Sequence, residues 1–437
     1  MNGKVTDERP TVRLSKIEIS NFMNVEHGEI EFPDNQPDDG LFHSSIVGLY
    51  GQNGSGKSAL VRSLSILKDW CGEGRAIGSL KGSQLIRFGC SSADFSYEFV
   101  LLYPNGDFIN ATYSLSISSV IVDEITTVQN EELKCKGFIN GNKVNSHIVV
   151  VSNNEKGRMQ HRFKNTIVDD DKSMFNSSFI SIVQGCCSNQ KEEKDIKVFE
   201  EIYRFIKDRL FVVESSRIVD LGVGEIVLGL GSNVLSLEYD NDSNIDNLHS
   251  FDYTIDEIKA GIEKLSRVFQ IVVPGVNIHL GNSDSPRILL SERSGVSIPF
   301  SQESYGIRKI FSVIQHLINA YNLDSYMLVV DEFDEGIFEF LLGQILGIIK
   351  KGGHGQLLFT SHNLRPLEVL GKENIFFTTA NPSNRYLRMI KIKPHNNLRD
   401  TYFRAIQLGG QKEELYNDTD EDDIETAFIL AGGLDNE

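Results

Sequence analysis

Apolar and polar residues alternate through VRLSKIEISNFMNVEHGEIEF, with Val12, Leu14, Ile17 and Ile19 on one side. A period of two is the pattern of a strand with one buried face, so the segment predicts antiparallel strands leading to a further strand at Ser45 to Tyr50. Between about Phe95 and Ile182 the runs YEFVLLY, ATYSLSI, SVIVDEI and SHIVVVS are separated by Asn, Gly and Asp, which predicts more sheet joined by long polar loops. The period lengthens to 3-4-3-4 at Ile255, Ile258, Ile262, Leu265 and Phe269, a helix that must stop before Pro274. A second helical stripe begins after Gly306, with Ile307, Ile310, Ile314, Leu317 and Tyr321 on one face. Neither stripe runs for the several heptads a long coiled coil needs. Tyr326 to Val330, YMLVV, is apolar throughout, as expected of a strand buried on both faces, and QLLFTSH reads as the next strand.

Composition changes this picture in three ways. The 437 residues, 40% of them hydrophobic, suffice for one large domain or two or three smaller ones, and no internal repeat is evident. Lys and Arg total 43 against 61 Asp and Glu, a balance of -18, which excludes a generally basic nucleic-acid coat and confines any DNA contact to a local patch. Much of the excess acid lies between Lys412 and Glu437. The five cysteines, Cys71, Cys90, Cys135, Cys186 and Cys187, lack the paired spacing of a zinc site, and their odd number argues against a closed disulfide framework. No apolar run approaches the ~18 residues that span a bilayer, so a cytoplasmic protein with no membrane segment is expected.

The candidate chemistry begins with GQNGSGKS, Gly51 to Ser58, which follows a strand and precedes helix-forming SALVRSL. This is the G-x-x-x-x-G-K-[ST] spacing, in which backbone N–H groups wrap phosphates at a helix N-terminus. The loop from Gly51 through Asn53, Gly54, Ser55 and Gly56 would cradle the phosphates. Lys57 would reach the β- and γ-phosphates of ATP, and the Ser58 hydroxyl would join a Mg²⁺ shell. YMLVV ends in Asp331 and Glu332, the Walker B pattern: an acid at the strand tip to hold Mg²⁺ and a second acid to orient the attacking water as general base. A core strand ending in solvated acids has the same sequence, and the P-loop upstream is what favours the site. His362, one strand later, stands where an imidazole would contact the γ-phosphate. Before Walker B, PFSQESYGIRKIF places Ser304 and Gly306 at the start of the second amphipathic helix, whose N–H groups and positive dipole end would meet a phosphate unless they form an ordinary cap.

Together GQNGSGKS, SNFMNVEHGEIEF, SQESYG, VVDEFDEG and FTSHN resemble the SMC/RecF-like branch of the ABC ATPases. The chain is most similar there to the AAA/ABC hybrids of bacterial anti-phage systems of the Septu and PARIS types and to the ATPase half of overcoming-lysogenization-defect proteins. The resemblance implies an α/β P-loop fold of ABC type, a mixed sheet with an antiparallel N-terminal β-subdomain and a helical insertion. It divides the chain into an N-terminal ABC lobe at 1–165, a partly helical insertion at 166–280, a C-terminal ABC lobe at 281–395 and an extension with an acidic tail at 396–437. It implies an ATP sandwich in a homodimer or higher homo-oligomer, with Gly51 to Ser58, Asp331, Glu332 and His362 of one copy facing Ser304 and Gly306 of another. Asp334 matches the family's D-loop only loosely, Gln84 is the candidate Q-loop residue, and Tyr305 stands where the family has a small residue.

The implied function is an ATPase that regulates a separate, co-encoded effector, a nuclease or toxin, in anti-phage defence; the alternative is a RecF-like ATPase at DNA ends or gaps. LGGQ at Leu408 to Gln411 imitates a transporter signature but follows Walker B. VDDDK at Val168 to Lys172 reads as a solvated loop. Arg385, Arg388, Lys391, Lys393, Arg399 and Arg404 form either a phosphate-contacting strip or the outer face of an edge strand, onto which the acidic tail would fold or beyond which it would dock a partner.

Overall fold

The computed structural model describes residues 9–34, 42–73, 85–120, 125–153, 158–163, 166–170, 178, 194–214, 224–230, 233–240, 242–245, 254–281, 288–388, 398–408, 413–415 and 420–432. The first strands are the predicted antiparallel pair, β1 (Thr11–Phe22) and β2 (Val25–Glu31), with Val12, Leu14, Ile17 and Ile19 buried. After β3 (Ser45–Tyr50) and helix α1 (Lys57–Leu67) the chain returns to the first sheet. It adds β4 (Ser92–Leu102), β5 (Phe108–Val120), β6 (Ile125–Ile139), β7 (Asn142–Asn153), β8 (Arg158–Phe163) and β9 (Thr166–Asp170). The order is β2-β1-β4-β5-β6-β7-β8-β9, antiparallel throughout.

These strands are longer than the apolar runs predict, and between β6 and β7 a tight turn stands in place of an expected long loop. Asn140 and Gly141, at φ 50° and 68°, make the two-residue turn between β6 and β7. Pairing along a neighbour carries polar stretches such as EELKCKGFI into the sheet, where cross-strand bonds outweigh local composition. The same effect corrects part of the reading of VDDDK: Val168 to Asp170 belong to β9, paired with β8, and are not a loop, while Asp171 and Lys172 lie outside the described residues.

The span 166–280 contributes α2 (Lys194–Asp208), β10 (Leu210–Val213), a hairpin of β11 (Gly224–Leu230) and β12 (Asn233–Tyr239), α3 (Ile255–Val272) and β13 (Asn277–Leu280). Helix α3 is the predicted one and opens on a capping box, Thr254 with Glu257. β14 (Leu289–Arg293) and β15 (Val296–Pro299) complete a small sheet with β13. Next come α4 (Tyr305–Asn322), β16 (Met327–Val330), α5 (Glu339–Gly352), β17 (Gln356–Thr360), β18 (Ile375–Thr378), β19 (Tyr386–Leu387), α6 (Leu398–Leu408) and α7 (Glu421–Gly432).

The central sheet has the order β10-β16-β17-β3-β18-β19, parallel except at its last pair. Its strands β3, β16, β17 and β18 are buried at every position, the mark of a sheet covered on both faces. The two sheets are fastened by the fully buried Gln356, whose side chain accepts from the Leu14 N–H at 2.8 Å and donates to the Leu14 carbonyl at 2.7 Å. Arg13, also fully buried, donates to the carbonyls of His43 and Gly355, and burial lowers its pKa to about 10.

Candidate functional site

In a parallel sheet every strand points its carboxyl end the same way, and loops leaving adjacent strands meet along that edge. Here β16, β17 and β3 lie side by side, so the loops carrying Asp331, His362 and the P-loop are neighbours although roughly three hundred residues separate the last from the other two in sequence.

The P-loop leaves β3 at Gly51, where a Cβ would fall 1.6 Å from Thr378 Oγ1, so only glycine lets β3 and β18 diverge this tightly. Thr378 donates its hydroxyl within the buried pair it forms with Ser55, 2.6 Å away, and Ser55 bonds the Gln52 carbonyl at 2.5 Å. The loop's outer side is braced by Asn24 on the Gly54 carbonyl and by Tyr386, which donates to the Gly56 carbonyl at 2.8 Å. Helix α1 then starts at Lys57. Its ammonium is buried and bent back onto the carbonyls of Gly51 (2.8 Å) and Gln52 (3.1 Å). Burial lowers the Lys57 pKa, and the charges of Asp331, Glu332 and Asp334 oppose that shift, which puts all three acids within electrostatic reach of the lysine. Ser58 and Asn53 are exposed.

Asp331 ends β16, buried, with Oδ1 accepting from the Thr360 hydroxyl at 2.5 Å. The same Thr360 oxygen accepts the Glu332 N–H at 2.7 Å. Glu332 sits at φ +49°, a left-handed conformation uncommon outside glycine, at the point where the chain leaves the sheet. Glu332 lines a cleft of about 330 Å³ together with Asn53, Asp334, Glu335 and His362. Asp334 has a role that no spacing rule indicates. Its carboxylate accepts the backbone N–H groups of His362 (3.2 Å) and Asn363 (3.0 Å), so it fixes the loop that carries the histidine.

Ser304 and Gly306 are not among the residues that line the cleft. Ser304 caps α4, its Oγ 3.4 Å from the Ile307 N–H, and is exposed. Gly306 is buried against the chain's own Gly336: a Cβ on it would lie 1.9 Å from the Gly336 carbonyl oxygen. Its lack of a side chain therefore serves packing within the chain, beyond any meeting with a second copy. Tyr305, the departure from the family pattern, donates its hydroxyl to Glu335 at 3.0 Å. The expected apolar stripe of α4 is shifted: Ile310, Phe311, Val313, Ile314 and Leu317 are buried, while Tyr321 is 36% exposed.

Gln84, Lys391, Lys393, Cys186 and Cys187 lie outside the described residues, as do Gly409 to Gln411 of LGGQ. The basic residues that are described do not make a surface strip. Arg385 is buried and donates to the carbonyls of Thr379 (2.7 Å) and Asn24 (2.9 Å). Arg388 donates to the Glu31 carbonyl, and Arg399 and Arg404 are on α6. Of the acidic tail, Glu421–Gly432 forms α7, exposed at every position, and among the described residues it is not folded onto these arginines. Two further residues escaped the sequence patterns. Glu214 closes β10 beside Asp331 and places both carboxylate oxygens within 2.9 Å of Arg62 on α1. Lys309 is fully buried one turn into α4.

The profile of a family described as an AAA domain (AAA_23) matches residues 16–269, more than half of the chain, and the protein belongs to that family. The match includes the P-loop and ends before Ser304, Asp331 and His362. No curated protein matches the chain. Among solved structures it is similar to an Smc head bound to the C-terminal winged-helix domain of ScpA, at 12% identity over 86% of this chain and 98% of that one, with a TM-score of 0.43. It is similar also to the SMC head domain from Thermotoga maritima (12% identity, 86% and 99% covered, TM-score 0.36). A third is the recombination mediator protein RecF of the RecFOR pathway (11% identity, 84% and 98% covered, TM-score 0.33).

Proposed function

We propose that the chain is an ABC-type ATP hydrolase of the SMC/RecF kind whose site closes when two copies associate. The observation that carries this reading is the convergence of Lys57, Asp331, Glu332 and His362 on one edge of the central sheet, where Glu332 and His362 line a cleft of about 330 Å³ and the charges of Asp331 and Glu332 reach Lys57. Lys57 leaves the loop carbonyls for the β- and γ-phosphates of ATP, exchanging neutral acceptors for charged ones. Glu332 takes the proton of the attacking water, and the His362 ring faces the terminal phosphate. The exposed Ser58 hydroxyl and the Asp331 carboxylate are hard oxygen donors that fit Mg²⁺. Once bound, Mg²⁺ supplies positive charge against the β- and γ-phosphates.

Carboxylates of Glu332, Asp334 and Glu335 line the cleft, and the backbone donors at the N-terminus of α4, beside exposed Ser304, are not among its lining residues. A phosphate needs such donors, and a second copy offers them. Hydrolysis then resets an association that controls a separate effector, a nuclease or toxin, in anti-phage defence. The exposed acidic helix α7 is the docking element for that partner.

Light scattering of Glu332→Gln with ATP and Mg²⁺ tests the first part. Its mass should double on adding ATP, and a Ser304→Arg change should abolish the doubling while leaving ATP affinity within about threefold. A monomer at all ATP concentrations contradicts the reading. ATP-dependent binding of gapped DNA by the chain alone, with phage protection needing no co-encoded partner, would replace the effector model by the RecF-like one.

A further inference from the structure

Lys309 lies on α4 with no exposed side-chain surface. Its Nζ donates to the backbone carbonyl of Glu332 and sits 3.7 Å from Glu335 Oε2 and 5.6 Å from the centre of the Tyr305 ring. Burial lowers its pKa, against the pull of Glu335, Asp334, Glu332 and Asp331. An ammonium in such a place costs free energy that an apolar side chain of similar length avoids. Packing alone gives no reason for a lysine here.

The residue it holds is the strained one. A left-handed conformation outside glycine costs about 1–2 kcal/mol and persists only where its surroundings over-determine it. Glu332 is held at φ +49° from both ends: its N–H by Thr360 Oγ1, its carbonyl by the Glu335 N–H at 2.9 Å and by Lys309. Two more contacts join the first turn of α4 to the acidic turn, Gly306 on Gly336 and Tyr305 on Glu335. Movement of that first turn must therefore carry the acidic turn with it.

We propose that Lys309 is a positioning residue: by holding the Glu332 carbonyl it couples the first turn of α4 to the orientation of the general base. The inference rests on the hydrolase reading above. A phosphate from a second copy that engages Ser304 pulls on a turn whose buried lysine grips the base of the first copy. Lys309 touches neither nucleotide nor water in this scheme and acts only through Glu332.

The test compares Lys309→Met with wild type in steady-state ATP hydrolysis, ATP affinity by calorimetry, and thermal melting. In Lys309→Met the Glu332 carbonyl keeps the Glu335 N–H, so no buried acceptor is orphaned and the variant should fold. The expected result is a fall in kcat of about a hundredfold, the scale of a roughly 1 Å misplacement of a reacting group, with ATP affinity within about threefold of wild type. Lys309→Gln, which keeps a polar end but is too short to reach, should behave alike and carries the test if the Met variant does not fold. Unchanged kcat in a folded variant overturns the proposal. So does a parallel loss of affinity and kcat, which would mark a general collapse of the site. A wild-type chain that binds ATP and never hydrolyses it would overturn the hydrolase reading itself, and this inference with it.

Discussion

Gly306→Ala adds one methyl group at a place where the structure leaves no room for it. The new Cβ would fall 1.9 Å from the Gly336 carbonyl oxygen, 2.8 Å from its carbon and 3.3 Å from its Cα. A close carbon to carbonyl-oxygen contact is about 3.3 Å, so the two backbones must separate by about 1.4 Å. Neither side yields easily: Gly336 is itself at φ +73°, and its turn is tied to α4 through Tyr305–Glu335 and Lys309. Overpacking of this kind costs about 1–3 kcal/mol. Replacing glycine by alanine in a helix returns at most about 1 kcal/mol, and less in a first turn, so the clash wins. We expect a net loss of about 1–2 kcal/mol, read as a lower urea midpoint at unchanged slope in circular dichroism. Turnover should fall as well, because the displaced turn carries Glu332. Wild-type stability in Gly306→Ala would refute the packing argument and leave Gly306 available for a role solely between copies. Bulky changes at Gly306 are thus poor probes of association, and exposed Ser304 is the better one.

Three further outcomes follow from contacts elsewhere. Gln356→Leu orphans the Leu14 N–H and carbonyl together and should cost about 2–4 kcal/mol of stability in the same urea assay, while a well-packed replacement costing nothing would show the fastening of the two sheets to be dispensable. Thr360→Val removes the donor to Asp331 and the acceptor for the Glu332 N–H, so kcat should drop by tenfold or more, about 1.4 kcal/mol in the barrier, with ATP still bound; equal kcat would detach Thr360 from the chemistry. Deleting Glu421–Gly432, none of whose residues is buried, should leave the melting temperature unchanged and abolish capture of the co-encoded partner, whereas a lower melting temperature would give that helix a structural role.

The parts of the candidate site that were legible in the sequence are those whose chemistry is contiguous. The P-loop spacing, the paired acids at a strand tip and the histidine after the next strand are each local patterns, and β3, β16 and β17 carry them to one edge. What holds these groups is not contiguous. Thr360 bridges Asp331 and Glu332, Asp334 fixes the His362 loop, and Lys309 reaches the Glu332 carbonyl across 23 residues. A threonine at a strand end or a lysine on a helix carries no local mark of such a contact. The basic residues misled in the opposite way: Arg385 sits among aromatic residues in sequence as a nucleic-acid contact would, yet it is buried on backbone carbonyls. The first sheet was recognised in kind and underestimated in extent, because β6 and β9 owe their strand state to their neighbours and not to apolar alternation of their own.

The central claim is that one cleft binds and hydrolyses ATP, with Lys57 binding and Glu332 activating water. The direct test is to measure ATP affinity and Mg²⁺-dependent phosphate release on the same preparations of wild type, Lys57→Ala and Glu332→Gln. The account predicts turnover in wild type alone, ATP affinity near wild type in Glu332→Gln, and affinity lower by a hundredfold or more, about 2.7 kcal/mol, in Lys57→Ala, where the phosphates lose their charged partner. Equal ATP affinity in wild type and Lys57→Ala, or undiminished phosphate release from Glu332→Gln, would contradict it.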